Sequence, residues 1–310
     1  MSKLKEVALY FKKNRDNTAF LTDLDGTALR IVKKPDMVHL SKKNVDSFVK
    51  LTEIYNGLGN SLFGFVTGRG LLDTVYVVSG LKRDEHFYGL AASPLDEFAI
   101  RKIKKKINGG RKKLLFAYFN SGYGMEQLFK EKHTTKLSIV KWQKIFKKII
   151  EEANLPGKIF LEPKGPIFAV HFREIVESGK NLTLITKGIA EKLRMPAKKY
   201  GVTLIEREMV IELWPKNAKQ VSKKIQLNKI ASSRNIKRIV WGGDTTADTE
   251  GIVEIKKLLR KKKLERAVTF FVKEKHNLGS EFRKEIHEEN YDHFVFDSVK
   301  DCEKFYRSFC

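Results

Sequence analysis

The stretch Asp23-Leu24-Asp25-Gly26-Thr27 comes directly after the apolar lead-in Ala19-Phe20-Leu21. Within a strand, residues two apart point side by side to one face. Two carboxylates can therefore approach a single bond from its two ends only where a strand gives way to a loop. Gly26 permits the backbone angles that such a turn needs. In that setting Asp23 can face a phosphorus atom while Asp25 swings round to the leaving oxygen, the arrangement of a phosphoryl-transfer site. Asp and Gly are also ordinary turn residues, so the pair takes its meaning from the residues later in the chain that could join it.

Three such elements come in order. Leu62-Phe63-Gly64-Phe65-Val66-Thr67-Gly68-Arg69 is another apolar run, and it ends in a hydroxyl donor, Thr67, able to hold a phosphoryl oxygen. Lys219, in Glu212-Leu213-Trp214-Pro215-Lys216-Asn217-Ala218-Lys219, can supply the cation needed where an anionic nucleophile meets an anionic ester. Ile239-Val240-Trp241-Gly242-Gly243-Asp244-Thr245-Thr246-Ala247-Asp248 repeats strand, glycine, carboxylate, with a second carboxylate one helical turn on. The Asp23–Thr27 element resembles the DxDGT signature of the haloacid dehalogenase superfamily, mostly phosphatases and phosphomutases, and the Asp244–Asp248 element its GDxxxD motif. The resemblance implies catalytic roles for Asp23, Asp25, Thr67 and Lys219. It also implies a Mg2+ cofactor with Asp23, Asp25, Asp244 and Asp248 as its protein oxygens, Asp25 through its main-chain carbonyl and Asp248 by orienting the shell. Hard oxygen ligands that leave several waters in place suit that ion.

The chain has 310 residues, 42% of them hydrophobic, enough to bury one large core or two smaller ones. Cys302 and Cys310 suggest no disulfide framework, the N-terminus is charged from Lys3 onward, and no stretch is long and apolar enough to span a membrane. Together these point to a cytoplasmic protein, monomer or homodimer, with no membrane partner. With 61 Lys and Arg against 37 Asp and Glu, the net charge is +24, which admits a nucleic-acid or polyanion partner. The lysines are scattered, however, and the densest runs, Arg101–Lys106 and Lys256–Lys263, mix apolar residues at helical spacing as amphipathic surface helices do. No zinc-finger spacing or base-stacking aromatic motif accompanies them.

Strand patterns at Ala19–Asp23, Leu62–Thr67, His86–Ala91, Arg238–Gly243, Val268–Lys273 and His293–Asp297 alternate with helical ones. Their continuous apolar character suits parallel strands buried on both faces. The fold class expected is α/β, a Rossmann-like parallel sheet with ligands at its carboxyl edge. Leu4–Lys13 and Ser298–Phe309 read as helices, the second capped by Asp297 or Ser298. The span from Glu97 to Glu212 is too long for a simple crossover and predicts an inserted α+β lobe, with residues 1–99 and 212–310 as core and 100–211 as insert. Within it we expect a helix over Leu137–Ala153, a strand over Lys158–Arg173, a helix over Asn181–Leu193, and strands near Val202–Glu206 and Met209–Leu213. In the superfamily such an insert is a C2-type cap, which closes over the site and excludes water.

The lobe carries a narrower resemblance. Glu162-Pro163-Lys164 and Ala169-Val170-His171-Phe172-Arg173 are similar to the E-x-K and AVHYR stretches of trehalose-6-phosphate phosphatases, and Glu212-Leu213-Trp214-Pro215 to their E-I-R-P. Gly89–Glu97 lines up with their G-L-A-G-S-H-G-x-E segment. This implies Arg69, Glu97, Glu162, Lys164, Arg173 and Glu212 as substrate-binding positions, with His171 a structural strand residue. It also implies a phosphorylated sugar as substrate, trehalose-6-phosphate foremost, and a place in trehalose biosynthesis. Pro94-Leu95, Trp214 and Gln220 depart from the family pattern. The alternatives that share the architecture are sucrose-phosphate and mannosylglycerate-phosphate phosphatases and the phosphohexomutases.

Overall fold

The structure is a computed structural model and describes residues 2–30, 40–81, 97–107, 109–121, 126–129, 132–135, 138–156, 159–172, 175, 181–207, 209–218, 222–273 and 284–310. The strand expected at His86–Ala91 lies outside these residues, and so do Arg173 and Lys219. The chain enters a large sheet with β1 (Thr18–Thr22), β2 (Leu62–Val66), β3 (Tyr118–Ser121), β4 (Glu126–Phe129) and β5 (Lys132–Thr135). It builds a separate four-stranded sheet from β6 (Phe160–Lys164), β7 (Ile167–His171), β8 (Val202–Arg207) and β9 (Val210–Pro215). It then returns to the large sheet with β10 (Arg238–Gly243), β11 (Arg266–Val272), β12 (Ile286–His287) and β13 (Tyr291–Phe296).

Across the large sheet the order is β12-β13-β11-β10-β1-β2-β3-β4-β5. All pairs from β13 to β3 are parallel, and antiparallel pairs finish both edges. Helices α1 (Lys3–Lys13), α2 (Lys42–Asn56), α3 (Leu71–Ser79) and α4 (Glu97–Lys106) precede the second sheet, α5 (Ile139–Ala153) and α6 (Leu182–Lys199) accompany it, and α7 (Lys223–Ser233), α8 (Thr246–Arg260) and α9 (Val299–Phe309) come after it. On one face of the large sheet Phe20, Phe63 and Phe65 pack with Phe11, Phe48, Tyr306 and Phe309. On the other, Leu21, Ile239 and Trp241 meet Leu227 and Ile230 of α7 and Ile252 and Ile255 of α8. Burial on both faces is why these strands carry apolar residues at successive positions.

The four-stranded sheet differs, because among the described residues only one of its faces packs on helices. Phe168, Val170, Ile211 and Leu213 bury against Phe146 and Ile149 of α5 and Ile189 and Leu193 of α6. Strand alternation puts Glu162, Lys164, Ala169, His171, Glu212 and Trp214 on the other face.

Several boundaries differ from expectation. The single strand expected over Lys158–Arg173 is a hairpin, β6–β7, because Gly165 (φ +63°) followed by Pro166 makes a tight turn. The helix expected to end at Leu193 runs on to Lys199 with Pro196 in its last turn. Tyr118–Thr135, expected in the insert, contributes β3–β5 to the large sheet. Its docking point is Gly64 of β2, where a Cβ would lie 2.2 Å from the Tyr118 carbonyl oxygen, so only glycine lets these strands pair. At the C-terminus it is Ser298 that caps α9, its Oγ accepting from the Asp301 N–H at 3.3 Å. Among the described residues no helix is long and apolar enough to cross a membrane.

Candidate active site

β1 lies between β2 and β10, all three parallel, so the residues that leave their carboxyl ends converge. Those residues are Asp23 after β1, Thr67 after β2 and Asp244 after β10. Asp23 is still held as a strand residue by its N–H, which donates to the Gly242 carbonyl at 2.9 Å. The chain then folds back on itself, with the N–H groups of Ala28 and Leu29 donating to the Leu24 carbonyl at 2.9 and 2.8 Å. Gly26 is required here twice over: its φ is +73°, and a Cβ would lie 1.8 Å from Asp244 Oδ2. This turn buries Asp23 and leaves the Asp25 side chain 39% exposed, so the two carboxylates take different environments.

A buried lysine completes the cluster. Lys223 opens α7, directly after the cap residue Ser222, and its Nζ lies 2.8 Å from Asp23 Oδ2 and 2.6 Å from Asp248 Oδ1. An ammonium at the start of a helix opposes the helix dipole, and the two carboxylates offset that cost. Burial pushes the Lys223 ammonium down, yet Asp23 and Asp248 outweigh it and hold the group above its ordinary value. Asp248 is fully engaged. Its second oxygen, Oδ2, accepts from the Thr245 N–H at 3.0 Å and the Thr245 hydroxyl at 2.6 Å, which closes a capping box on α8. Asp248 thus positions Lys223 and α8, and both its oxygens are spent in doing so.

Asp23, Asp244 and Asp248 lie close enough to share one ion. Three carboxylates against one buried ammonium leave excess negative charge. Burial pushes the Asp23 carboxyl up to about 7, with Asp248 and Asp25 adding to the rise and Lys223 opposing it. Burial, then Asp248 and Asp23, push Asp244 well above its ordinary value too. Asp23 Oδ1 is buried without a hydrogen-bond donor among the described residues. An oxygen-only set with uncompensated negative charge fits a hard divalent cation, with Asp23 and Asp244 the side chains able to hold it.

Asp25 has a different partner. Arg69 grips it with two bonds, Nε to Oδ2 and Nη2 to Oδ1, both 2.7 Å. Arg69 is itself anchored by Asp73 Oδ2 at 2.5 Å from Nη1. Burial raises the Asp25 carboxyl, but the guanidinium outweighs it and holds the group below its ordinary value. Thr67 is buried beside this pair, and its Oγ1 accepts from the Arg69 N–H at 3.2 Å.

The polar face of the second sheet approaches from above. Its Gly165 turn seats against the core: a Cβ there would lie 1.9 Å from Glu126 Oε2, and one on Gly70 would lie 2.9 Å from the Lys164 backbone. Glu162 and Glu212 stand in one row on either side of Ala169. Lys164 Nζ reaches Glu212 Oε1 at 3.3 Å and Glu162 Oε2 at 3.6 Å, and His171 Nε2 meets Glu162 Oε2 at 2.8 Å. Trp214 Nε1 donates to Glu212 Oε2 at 3.3 Å. Burial raises Glu162, but Lys164 and His171 outweigh it and hold the carboxyl low. The fields of Lys164 and Glu162 reach Asp25 with opposite sign, both weaker than that of Arg69.

Of the residues expected to form the site, the structure brings together Asp23, Asp25, Thr67, Arg69, Asp244 and Asp248, and above them Glu162, Lys164 and Glu212. Glu97 begins α4. Two groups escape sequence reasoning. Lys223 is not among the residues expected from the sequence, where Lys219, outside the described residues, is the expected cation; its signal is Ser222, a cap residue immediately before the apolar pattern of α7. Glu126 is buried and accepts from the Leu71 N–H at 3.2 Å. Its signal is Phe119-Asn120-Ser121-Gly122-Tyr123-Gly124-Met125-Glu126, again strand, glycine, carboxylate.

The same arrangement of sheets is found in solved structures. A trehalose-6-phosphate phosphatase related protein superposes with a TM-score of 0.59 at 14% identity, over 93% of this chain and 95% of that one. The C-terminal domain of Candida albicans trehalose-6-phosphate phosphatase gives 0.58 at 13% identity, over 97% and 94%. Trehalose-6-phosphate phosphatase of Aspergillus fumigatus gives 0.51 at 14% identity, over 98% and 96%. The chain has the haloacid dehalogenase fold. No family model matches the sequence, and no curated protein is similar to it in sequence.

Proposed function

We propose that the protein is a magnesium-dependent sugar-phosphate phosphatase working through an aspartyl-phosphate, with the four-stranded sheet acting as a cap over the site. The observation that carries this reading is Asp23: one carboxylate oxygen is held by Lys223, and the other is buried with no donor among the described residues. A magnesium ion held by Asp23, Asp244 and the Asp25 main-chain carbonyl would screen the repulsion between carboxylate and phosphate.

Asp23 attacks phosphorus in line while the ester bond to the sugar oxygen breaks. Lys223 and the Thr67 hydroxyl hold the transferring oxygens as charge redistributes. Asp25 gives its proton to the departing sugar oxygen and later takes one from the water that hydrolyses the intermediate. The grip of Arg69 prepares Asp25 for that second role. For the first, Arg69 must release an oxygen so that Asp25 can take up a proton from solvent before donating it, and an incoming anionic substrate is the natural agent to draw the guanidinium away. Glu162, Lys164 and Glu212 offer acceptors and a donor to sugar hydroxyls. The likeness of fold to trehalose-6-phosphate phosphatases supports trehalose-6-phosphate as the first substrate to try.

The test is phosphate release with magnesium from trehalose-6-phosphate, sucrose-6-phosphate, mannosyl-phosphoglycerate, hexose phosphates and an aryl phosphate. Hydrolysis of at least one sugar phosphate is expected, and Asp23→Asn should lower it by roughly 10⁵-fold with unchanged circular dichroism, the scale on which loss of a nucleophile acts. Full turnover by that variant would remove Asp23 as nucleophile. An isomeric sugar phosphate without free phosphate would mark a mutase instead.

A further inference from the structure

Away from the carboxyl edge, a groove of 540 Å³ opens between β3–β4 and the C-terminal half of α7. Its walls include Tyr118, Gln127, Gln226, Lys229, Ser233 and Arg234, and none of its lining residues is acidic. Gln226 is 1% exposed. Its Oε1 accepts from Asn120 Nδ2 and Gln127 Nε2, both at 3.3 Å, which leaves Nε2 as its remaining donor. That Nε2 has no acceptor among the described residues, and a buried donor left unmet favours any ligand that supplies an acceptor. Lys229 is exposed on the same helix, and the Arg234 guanidinium lies 6.0 Å from the centre of the Tyr118 ring at the groove's wall. A buried amide donor, an ammonium, a guanidinium and the Ser233 hydroxyl, with no acidic residue among the described groove walls, select for an anion.

The groove is also wired to the candidate active site. Gln226 lies one turn along α7 from Lys223. Asn120, which donates to Gln226 through its side chain, accepts the Thr67 N–H through its carbonyl at 2.9 Å. A ligand that pulls on Gln226 therefore acts on both groups expected to hold the transferring phosphoryl oxygens.

We propose that this groove is a second anion site, taking the phosphate group of a small phosphate monoester, and that its occupancy adjusts the placement of Lys223 and Thr67. The adjustment of turnover depends on the phosphatase reading; the binding does not.

Equilibrium dialysis with radiolabelled inorganic phosphate, in magnesium, counts the sites. The intact chain should bind two phosphates and the Lys229→Gln/Arg234→Gln variant one. Gln226→Glu, which turns the donor into an acceptor while keeping its shape, should weaken the second phosphate at least tenfold. Equal phosphate counts in the intact chain and the double variant would overturn the site. Methylphosphonate then probes the coupling: it should change aryl-phosphate turnover at least threefold and non-competitively in the intact chain, and not in the double variant. Purely competitive inhibition, equal in both, would overturn the coupling. An oligoribonucleotide that displaced the second phosphate with comparable affinity would overturn the small-molecule assignment. If no phosphate ester is hydrolysed at all, the phosphatase reading fails while the phosphate count still decides the groove.

Discussion

The two charged clusters of this molecule are built on opposite principles. The Asp23–Lys223–Asp248–Asp244 cluster sits at the ends of parallel strands, where turns and helix starts aim each group, and it is rich in negative charge. The Glu162–Lys164–His171–Glu212 cluster lies on the flat of an antiparallel sheet, where simple alternation places its members and the charges are closer to balance. The first geometry suits a group that must hold one reacting atom, since each member is fixed by backbone that has no alternative path. The second suits recognition: substituting one face residue changes a contact without moving a strand. Chemistry and selectivity are thus expected to fail separately.

The strongest way to break this comparison is at the core lysine. Lys223→Met should lower turnover by roughly 10³-fold, the scale of losing one preorganised donor to a developing charge. It should also cost about 3–5 kcal/mol of stability, because buried carboxylates lose their cation. Lys219→Met should stay within about twofold of the intact chain, because Lys223 already supplies the cation that a transferring phosphoryl group needs. Rates that reversed this order would return the catalytic cation to Lys219. Steady-state assays and chemical denaturation on both variants settle it.

A smaller, qualitatively different effect is expected on the sheet face. Glu162→Gln and Glu212→Gln should raise KM for the preferred sugar phosphate about tenfold, as loss of uniform binding does. Hydrolysis of an aryl phosphate, which lacks the sugar, should be unchanged. Equal losses on both substrates would mean that the face acts on chemistry after all, and the division between the clusters would dissolve.

The smallest effect is read as heat stability. Burial raises Asp23 to about 7 from an ordinary 3.8, so the folded chain keeps a proton that the unfolded chain has already lost between those values. Without magnesium, this group's contribution therefore falls as pH rises through that window. The ion needs the ionised carboxylate, so the rise in Tm that magnesium confers should grow from about pH 5 to about pH 8. A magnesium shift independent of pH, measured by scanning calorimetry, would separate Asp23 from the ion.

The legibility of the sequence divides in the same way. Asp23, Asp25, Thr67, Asp244 and Asp248 can be found because each stands at or just beyond the end of an apolar run, and parallel strands bring such ends together whatever their separation in the chain. The second sheet's face is legible through alternation at Glu162, Lys164 and Glu212. The lysine is not, because Lys216, Lys219, Lys223 and Lys224 crowd one short segment and no period distinguishes them. What chooses Lys223 is the start of α7 at Ser222, a capping event that places one side chain under β1. Glu126 escapes for a related reason. Two stretches between Gly89 and Glu126 carry strand, glycine and glutamate, and the pairing of β3 with β2 at Gly64 places the second of them in the sheet.

Asp248 has a consequence for how this protein would age or be tuned. One carboxylate both closes the first turn of α8 and steadies Lys223. Local fraying of that helix start would therefore silence the site well before the domain came apart. Activity becomes a sensitive reporter of a single helical turn, and a chain damaged there would remain folded, intact in size and inert.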